Sequence, residues 1–349
     1  MTRPYTPAKI GPAEGILACT MDAKRSQQFV LAVRSCIMAF LSEQHRPPRV
    51  LDMGSGSGLL SVVALQTGAG FVVAVDCNAD MLSLTRATLE GAGFVHGVHF
   101  DTQLSIQSED DIERVRVTEG SGVSVPVGVF DVVVSDILGD NVWSYSAPHV
   151  LKKVRPLLRR FDGPHDTYAI PQSFAQYASV VRFPSIFKQN DLRERVFDTT
   201  VPPSCKGSRV LQMFASRETP IPFHILPRET IVPATEVASY HFGSDDQPWL
   251  DSKKTLLPAW TVAATDAFLA LEWTAILWHG HILCNTFDAY THLSPVDAHI
   301  RAHGWGLTLA RIADLSGAPK VIEWHTTRGG GVHVLISKQR VQPLNMLSV

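Results

Sequence analysis

Three aspartates and three glycines carry the chemistry this sequence offers. Asp52 precedes Gly54, Gly56 and Gly58 in the stretch Val50-Leu51-Asp52-Met53-Gly54-Ser55-Gly56-Ser57-Gly58-Leu59-Leu60. Asp76 closes the apolar run from Gly70 to Val75, and Asp136 closes the run from Phe130 to Ser135. Glycines at alternate positions let the backbone pass through φ > 0 and come close to a ligand. A helix starting at Leu59 offers free N–H groups and a positive dipole end at the same place. The spacing Gly-x-Gly-x-Gly is not the Gly-x-Gly-x-x-Gly of a dinucleotide fingerprint, and no Lys-Ser/Thr follows, so a phosphate cradle is not expected. A carboxylate beside the turn suits an ammonium rather than a pyrophosphate. An acid at the tip of the next strand suits a ribose diol. Together they point to a nucleoside with an amino-acid tail, S-adenosylmethionine (AdoMet). The alternative is a nucleotide-binding or empty Rossmann half.

Several elements must hold these side chains. Val50 to Met53 is a buried strand, Leu59 opens a helix, and residues 70–76 form the next strand, which makes a βαβ unit. Ala79 to Leu89 follows as a second helix and Val95 to Phe100 as a third strand. Phe130 to Asp136 is a further buried strand, so Asp136 points to the same cleft as Asp52 and Asp76, beyond the carboxyl ends of the strands. Ser146 to Leu158 is helical. Ahead of the unit, Met21 to Leu41 has a helical period, with Phe29, Val33, Ile37 and Phe40 on one face and Arg25, Arg34 and Glu43 off it. His45-Arg46-Pro47-Pro48 stops that helix. Residues 1–15 read as a loose arm. Residues 101–128 read as polar turns with an acidic cluster at 109–111.

From Ile170-Pro171 the texture changes to prolines, short alternating runs and Gly-rich turns. Ala175 to Phe183, Arg209 to Phe214, Phe268 to Leu277 and Val332 to Ser337 fit strands. Val321 to His325 and Val332 to Ile336 flank Arg328-Gly329-Gly330-Gly331 as a hairpin. The expectation is a mostly antiparallel β domain over 171–349, interrupted at 184–206 by a charged segment bearing Phe187, Leu192, Val196 and Phe197. That segment is either an arm with one sticky face or an ordinary surface insertion.

At 349 residues the chain allows two domains. It is 45% hydrophobic and 18% charged, as in globular proteins. A formal net charge of −2 gives no general attraction to nucleic acid or membrane. The five cysteines (19, 36, 77, 205 and 284) are scattered without a CxxC, so neither a disulfide framework nor a metal centre is expected. No apolar run reaches 18 residues and no secretory leader is read, so cytosol or nucleus is the expected compartment.

The residues resemble the protein arginine methyltransferases over roughly 16–315, most strongly over 16–181. Met21-Asp22-Ala23-Lys24-Arg25 is similar to that family's N-terminal helix motif, whose Arg meets the AdoMet carboxylate. Val50 to Leu60 is similar to its AdoMet turn. Asp76 stands where the family has an acid for the ribose, and Tyr168-Ala169-Ile170-Pro171 resembles the opening of its barrel. The first part looks closest to the monomethylating branch. The resemblance implies an α/β fold: a Rossmann-like AdoMet methyltransferase domain over 1–170, then a β-barrel over 171–349 with a dimerisation arm at 184–206. It implies cofactor contacts from Arg25, Asp52, Gly54, Gly56, Gly58 and Asp76.

The substrate-facing loops depart from the family. Arginine stays protonated at cellular pH, and family members hold its fork with two Glu nine residues apart. Here the first position is Asp136 and the ninth residue after it is Tyr145, a neutral phenol. Losing one partner of a desolvated charge pair costs about 2–5 kcal/mol, or roughly thirty- to several-thousand-fold in rate. Asp140 is the candidate substitute, or else an exposed turn residue. The family's Thr-His-Trp is matched by Ala302-His303-Gly304-Trp305, with His303 the candidate in the channel, or by Tyr290-Thr291-His292-Leu293. Three readings follow. The chain is a regulatory prozyme that joins a catalytic paralogue through its arm in a hetero-oligomer, possible as a heterotetramer, acting on Arg-rich protein substrates through the complex. Or it is an active, monomethylating enzyme using Asp136 with Asp140. Or it methylates a small molecule or nucleic acid; the lack of an Asn/Asp-Pro-Pro-Tyr/Phe motif after the fourth strand, and of a basic surface, stands against nucleobase chemistry.

Overall fold

The computed structural model describes residues 23–96, 98–101, 116–118, 124–126, 129–139, 142, 147–182, 229–243, 252–257, 267–284, 308–311, 320–326, 332–336 and 339–340. Met21, Asp22, Asp140, Tyr145, the 184–206 segment, the strand expected at 209–214, His292, His303 and the 328–331 turn lie outside these residues.

Helix α1 (Ala23–Gln44) buries the stripe foreseen from its period: Phe29, Val33, Ile37 and Phe40, with Ala32 and Cys36 between them. It stops where His45 turns to φ +54 and its N–H closes onto the Leu41 carbonyl, just before Pro47-Pro48. Then come β1 (Arg49–Met53), α2 (Leu59–Thr67), β2 (Phe71–Val75), α3 (Ala79–Gly91) and β3 (Val98–Asp101). The third strand begins three residues later than the sequence suggested. A short antiparallel pair, β4 (Arg116–Thr118) and β5 (Ser124–Pro126), lies within the stretch read as turns. β6 (Val132–Ser135), α4 (Ala147–Val154), a 3-10 turn at Arg155–Leu157 and β7 (Tyr168–Ile170) complete the first half. The expected helix to Leu158 is therefore shorter, because Pro156 sits inside its last turn.

These strands form a parallel sheet in the order β3-β2-β1-β6-β7. The order reverses between β1 and β6, which makes their carboxyl ends the crevice of an open α/β sheet. At the amino ends of β1 and β6 the sheet is locked by Asp131, fully buried. Its carboxylate takes both Arg46 Nη atoms at 2.7 Å and the Arg49 N–H at 2.9 Å.

The second half is antiparallel, as expected. β8 (Ser173–Arg182), β9 (Glu229–His241), β11 (Ala267–Trp278), β12 (His281–Cys284) and β13 (Thr308–Arg311) form one sheet, in the order β12-β11-β8-β9 with β13 on β11. β10 (Ser252–Leu257), β14 (Lys320–Thr326), β15 (Val332–Ile336) and β16 (Gln339–Arg340) form another. β14 and β15 pair as the foreseen hairpin, from Ile322↔Ile336 to Thr326↔Val332. β9 runs beside β10. Among the described residues the two sheets do not close into the expected barrel. β11, β12 and β7 all pack on α1, so one helix serves as a wedge between the halves.

Candidate cofactor and substrate cleft

The glycine turn has the backbone its composition requires. Gly54, Gly56 and Gly58 take φ of +78, +52 and +82. The Gly54 and Ser55 N–H groups both donate to the Val75 carbonyl, which pulls the turn across the end of β2. A Cβ on Gly54 would stand 2.5 Å from Ile137 Cγ2, and one on Gly58 would stand 3.1 Å from the Thr85 backbone. The turn is therefore pinned between the Asp136 loop and α3. Ser55 and Thr85 share a hydroxyl contact at 3.1 Å, and Thr85 also donates to the Gly56 carbonyl.

The three acids converge on this turn. Asp76 accepts the Gly56 N–H at 3.0 Å on one oxygen and the Asn78 N–H at 2.9 Å on the other. Each oxygen keeps a second lone pair that a ribose hydroxyl can use. Asp52 is 1% exposed. Its Oδ2 accepts from Ser61 Oγ at 2.6 Å, in the first turn of α2, while its Oδ1 is buried with no hydrogen-bond partner among the described residues. Burial pushes the Asp52 carboxyl up to about 7; Ser61 opposes the rise, and Asp136 and Asp76 add to it. A buried, half-satisfied carboxylate among other acids is a site for a cation.

Asp136 follows β6 directly. Arg25 holds it at two points, Nε to Oδ2 at 2.8 Å and Nη2 to Oδ1 at 2.7 Å, with Nη2 also 3.4 Å from the Asp136 carbonyl. Arg25 was read as off the apolar face of its helix. It is in fact buried, because its end of α1 lies over the carboxyl end of the sheet. The resemblance gave it an AdoMet carboxylate as partner, and this structure gives it Asp136.

The loop after Asp136 is held from the second half of the chain. Trp273 Nε1 donates to the Gly139 carbonyl at 2.9 Å, and the Val142 N–H donates to Gln176 Oε1 at 3.1 Å. Gln176 Nε2 donates in turn to the Glu272 carbonyl at 2.8 Å. Ser61, Ile137, Gln176 and Trp273 were missed in the sequence. Gln176 left a signal: it is the polar residue in the inward series Phe174, Gln176, Ala178.

The residues fit AdoMet: an orphaned buried carboxylate oxygen, three glycines whose Cβ would strain or fill the turn, and an acid at the tip of β2. The family model described as ribosomal protein L11 methyltransferase (PrmA) matches residues 32–156. A probable protein arginine N-methyltransferase 3 of Oryza sativa is 33% identical over 96 residues, 26% of this chain and 15% of that protein. Protein arginine N-methyltransferase 7 of Anopheles gambiae is 26% identical over 182 residues, 49% of this chain and 23% of that protein. The chain thus spans less than a third of the length of these curated relatives. Among solved structures, the Trypanosoma brucei PRMT1 enzyme-prozyme heterotetrameric complex with AdoHcy superposes with a TM-score of 0.55 at 16% identity, over 92% of this chain and 91% of that one. Arabidopsis thaliana protein arginine methyltransferase 10 gives 0.53 at 13% identity, over 94% and 95%.

Fold and cleft together resemble those of AdoMet-dependent methyltransferases, with the matched family model lying on the α/β half. The architecture over nearly the whole chain is similar to that of the protein arginine methyltransferases.

Proposed function

We propose that this chain is a regulatory, catalytically weak or silent member of the arginine methyltransferase family, one that pairs with an active paralogue and raises that paralogue's turnover of Arg-rich proteins. One observation carries the reading: the acid at Asp136 is followed nine residues later by Tyr145. A guanidinium stays protonated at cellular pH, and drawing its charge away from the attacking nitrogen takes two carboxylates. A phenol, neutral at pH 7, cannot serve as the second. Asp136 is moreover already matched by Arg25. Arg25, Asp52, Gly54, Gly56, Gly58 and Asp76 are the residues that would hold AdoMet, which when bound supplies an electrophilic methyl group. The enzyme-prozyme heterotetramer of Trypanosoma brucei is a fold neighbour consistent with such a pairing. Phe187, Leu192 and Phe197 of the 184–206 segment are the proposed contact to the paralogue.

The test is turnover by the purified chain alone, beside turnover after co-purification with partners identified by mass spectrometry. Feeble methylation alone, with a gain in the complex, is expected. Robust methylation of histones or Arg-Gly-rich proteins by the isolated chain overturns the reading. It would favour an active monomethylating enzyme that uses Asp136 and Asp140. Charged substitutions at Phe187, Leu192 and Phe197 should abolish the complex in size-exclusion chromatography with light scattering.

A further inference from the structure

A second ionisable cluster lies at the far end of α1 from the cleft. His165 sits on the connector before β7, and His279 sits in the tight turn between β11 and β12. Their Nε2 atoms are 3.0 Å apart. The same His165 Nε2 is 3.6 Å from Glu43 Oε1, near the last turn of α1. Glu43 Oε2 accepts from the Tyr168 hydroxyl at 2.6 Å. Both imidazoles lie against the buried Trp278, with ring centroids 4.9 Å away for His165 and 4.7 Å for His279. His279 and Gly280 form the two-residue loop between the paired Trp278 and His281, in successive left-handed conformations with φ +38 and +84. Such a two-residue hairpin turn needs positive φ at both central residues, and histidine is among the non-glycine residues that take it more readily.

Two Nε2 atoms at this separation can share one proton but not two. When one ring is neutral, its lone pair accepts the other ring's N–H. When both are protonated, two donors and two positive charges face each other. We propose that this cluster is a pH-operated latch, in which the His165–His279 contact fastens the β11–β12 turn to the carboxyl end of α1 and opens when the pair takes up a second proton.

Among the described residues, the groups facing the pair are few. α1 contributes Glu43 and, behind it, Cys36; β7 contributes Tyr168. Burial raises both the Cys36 thiol and the Tyr168 phenol, so these stay neutral across the working range. Asp166, beside His165 in sequence, has its Oδ2 next to Gly243, just past the end of β9. Glu43 therefore supplies the compensating charge, enough for one proton on the pair. Burial first, and then the proximity of His165, hold His279 below the ordinary imidazole range, with Glu43 opposing. A base held low in the fold favours the folded form when deprotonated. The latch is thus closed above about pH 6.5 and lost as the pH falls below that value. It clamps one end of a helix whose other end, about 27 Å away at Arg25, lines the cleft.

Histidine side-chain NMR on the full chain from about pH 4.5 to 8.5 tests this, with hydrogen exchange of residues 276–284 read beside it. His165 and His279 should titrate as a coupled pair in two separated steps. In His165→Gln, His279 should collapse to a single step, still below the ordinary imidazole range because its burial remains. After correction for intrinsic rates, exchange of the 276–284 amides should rise about tenfold between pH 7.5 and 5.5 in the parent chain. Independent single-step titrations in the parent chain, or corrected exchange equal at the two pH values, overturns the latch. Neither readout depends on methyl transfer, so its failure leaves the regulatory reading untouched.

Discussion

Arg25 and Asp136 stand 111 residues apart in the chain and meet as a two-point ion pair across the mouth of the cleft. One is the residue expected at a cofactor carboxylate, the other the residue expected at a substrate guanidinium. Their pairing links the two positions electrostatically, so a change in one side chain is felt at the other.

Arg25→Met should therefore remove the Arg25 countercharge from Asp136, which lies near Asp52. Hydrogen bonds to charged groups are worth about 1.5–3 kcal/mol, and a loss of that size is expected in urea unfolding. Calorimetry should show S-adenosylhomocysteine binding weakened tenfold or more, about 1.4 kcal/mol. An unchanged affinity would mean that the fork serves only Asp136.

Asp52 gives a pH dependence of unusual sign for an acid. The folded chain holds its proton up to about 7, whereas an unfolded Asp releases it near 3.9. Stability contributed by the protonated form is present at low pH and is lost as pH rises from about 4 to about 7. The span is at most on the order of 4 kcal/mol. Asp52→Asn should flatten that slope and leave the unliganded chain more stable above pH 7 in denaturant titrations. Near neutral pH the parent chain should release a proton when S-adenosylhomocysteine places its ammonium there. Binding heats in buffers of different ionisation enthalpy report this directly, and the Asn variant should show none.

Gly54→Ala tests the turn. The new Cβ meets Ile137 and forces a left-handed backbone on alanine, about 1–2 kcal/mol for the conformation alone. Pairing it with Ile137→Ala relieves the clash and not the backbone. The double variant should recover part of the melting temperature and little of the cofactor affinity.

Gln176→Leu strips the acceptor from the buried Val142 N–H, and Trp273→Phe strips the donor from the Gly139 carbonyl. Each should cost about 1–3 kcal/mol in unfolding free energy. Hydrogen exchange should accelerate at Val142 in the first variant while β1 and β2 keep their protection. Protection unchanged at Val142 would show that the second half does not hold this loop.

Much of the first half was legible because its signals are local. The period of α1, the glycine turn and the acids at the ends of apolar runs each act over a few residues. A strand–helix–strand series of that kind folds in one hand. The second half was harder. β9, β10, β12 and β13 carry no clean alternation, and β9 holds Pro233 and register shifts against β8. Their identity as strands comes from neighbours that pair with them, which is where strand preference largely resides.

The amino-acid order alone determined that a glycine turn would meet three acids at the carboxyl ends of parallel strands, because backbone sterics and strand polarity operate within each segment. Only the tertiary structure decided that Arg25 closes on Asp136, that Asp52 keeps one oxygen bare, and that Gln176 and Trp273 reach across to the loop after β6. Those pairings join segments separated by as many as 134 residues. They are selected by which buried polar groups would otherwise lose their hydrogen bonds to water, a cost that exists only once the halves have packed.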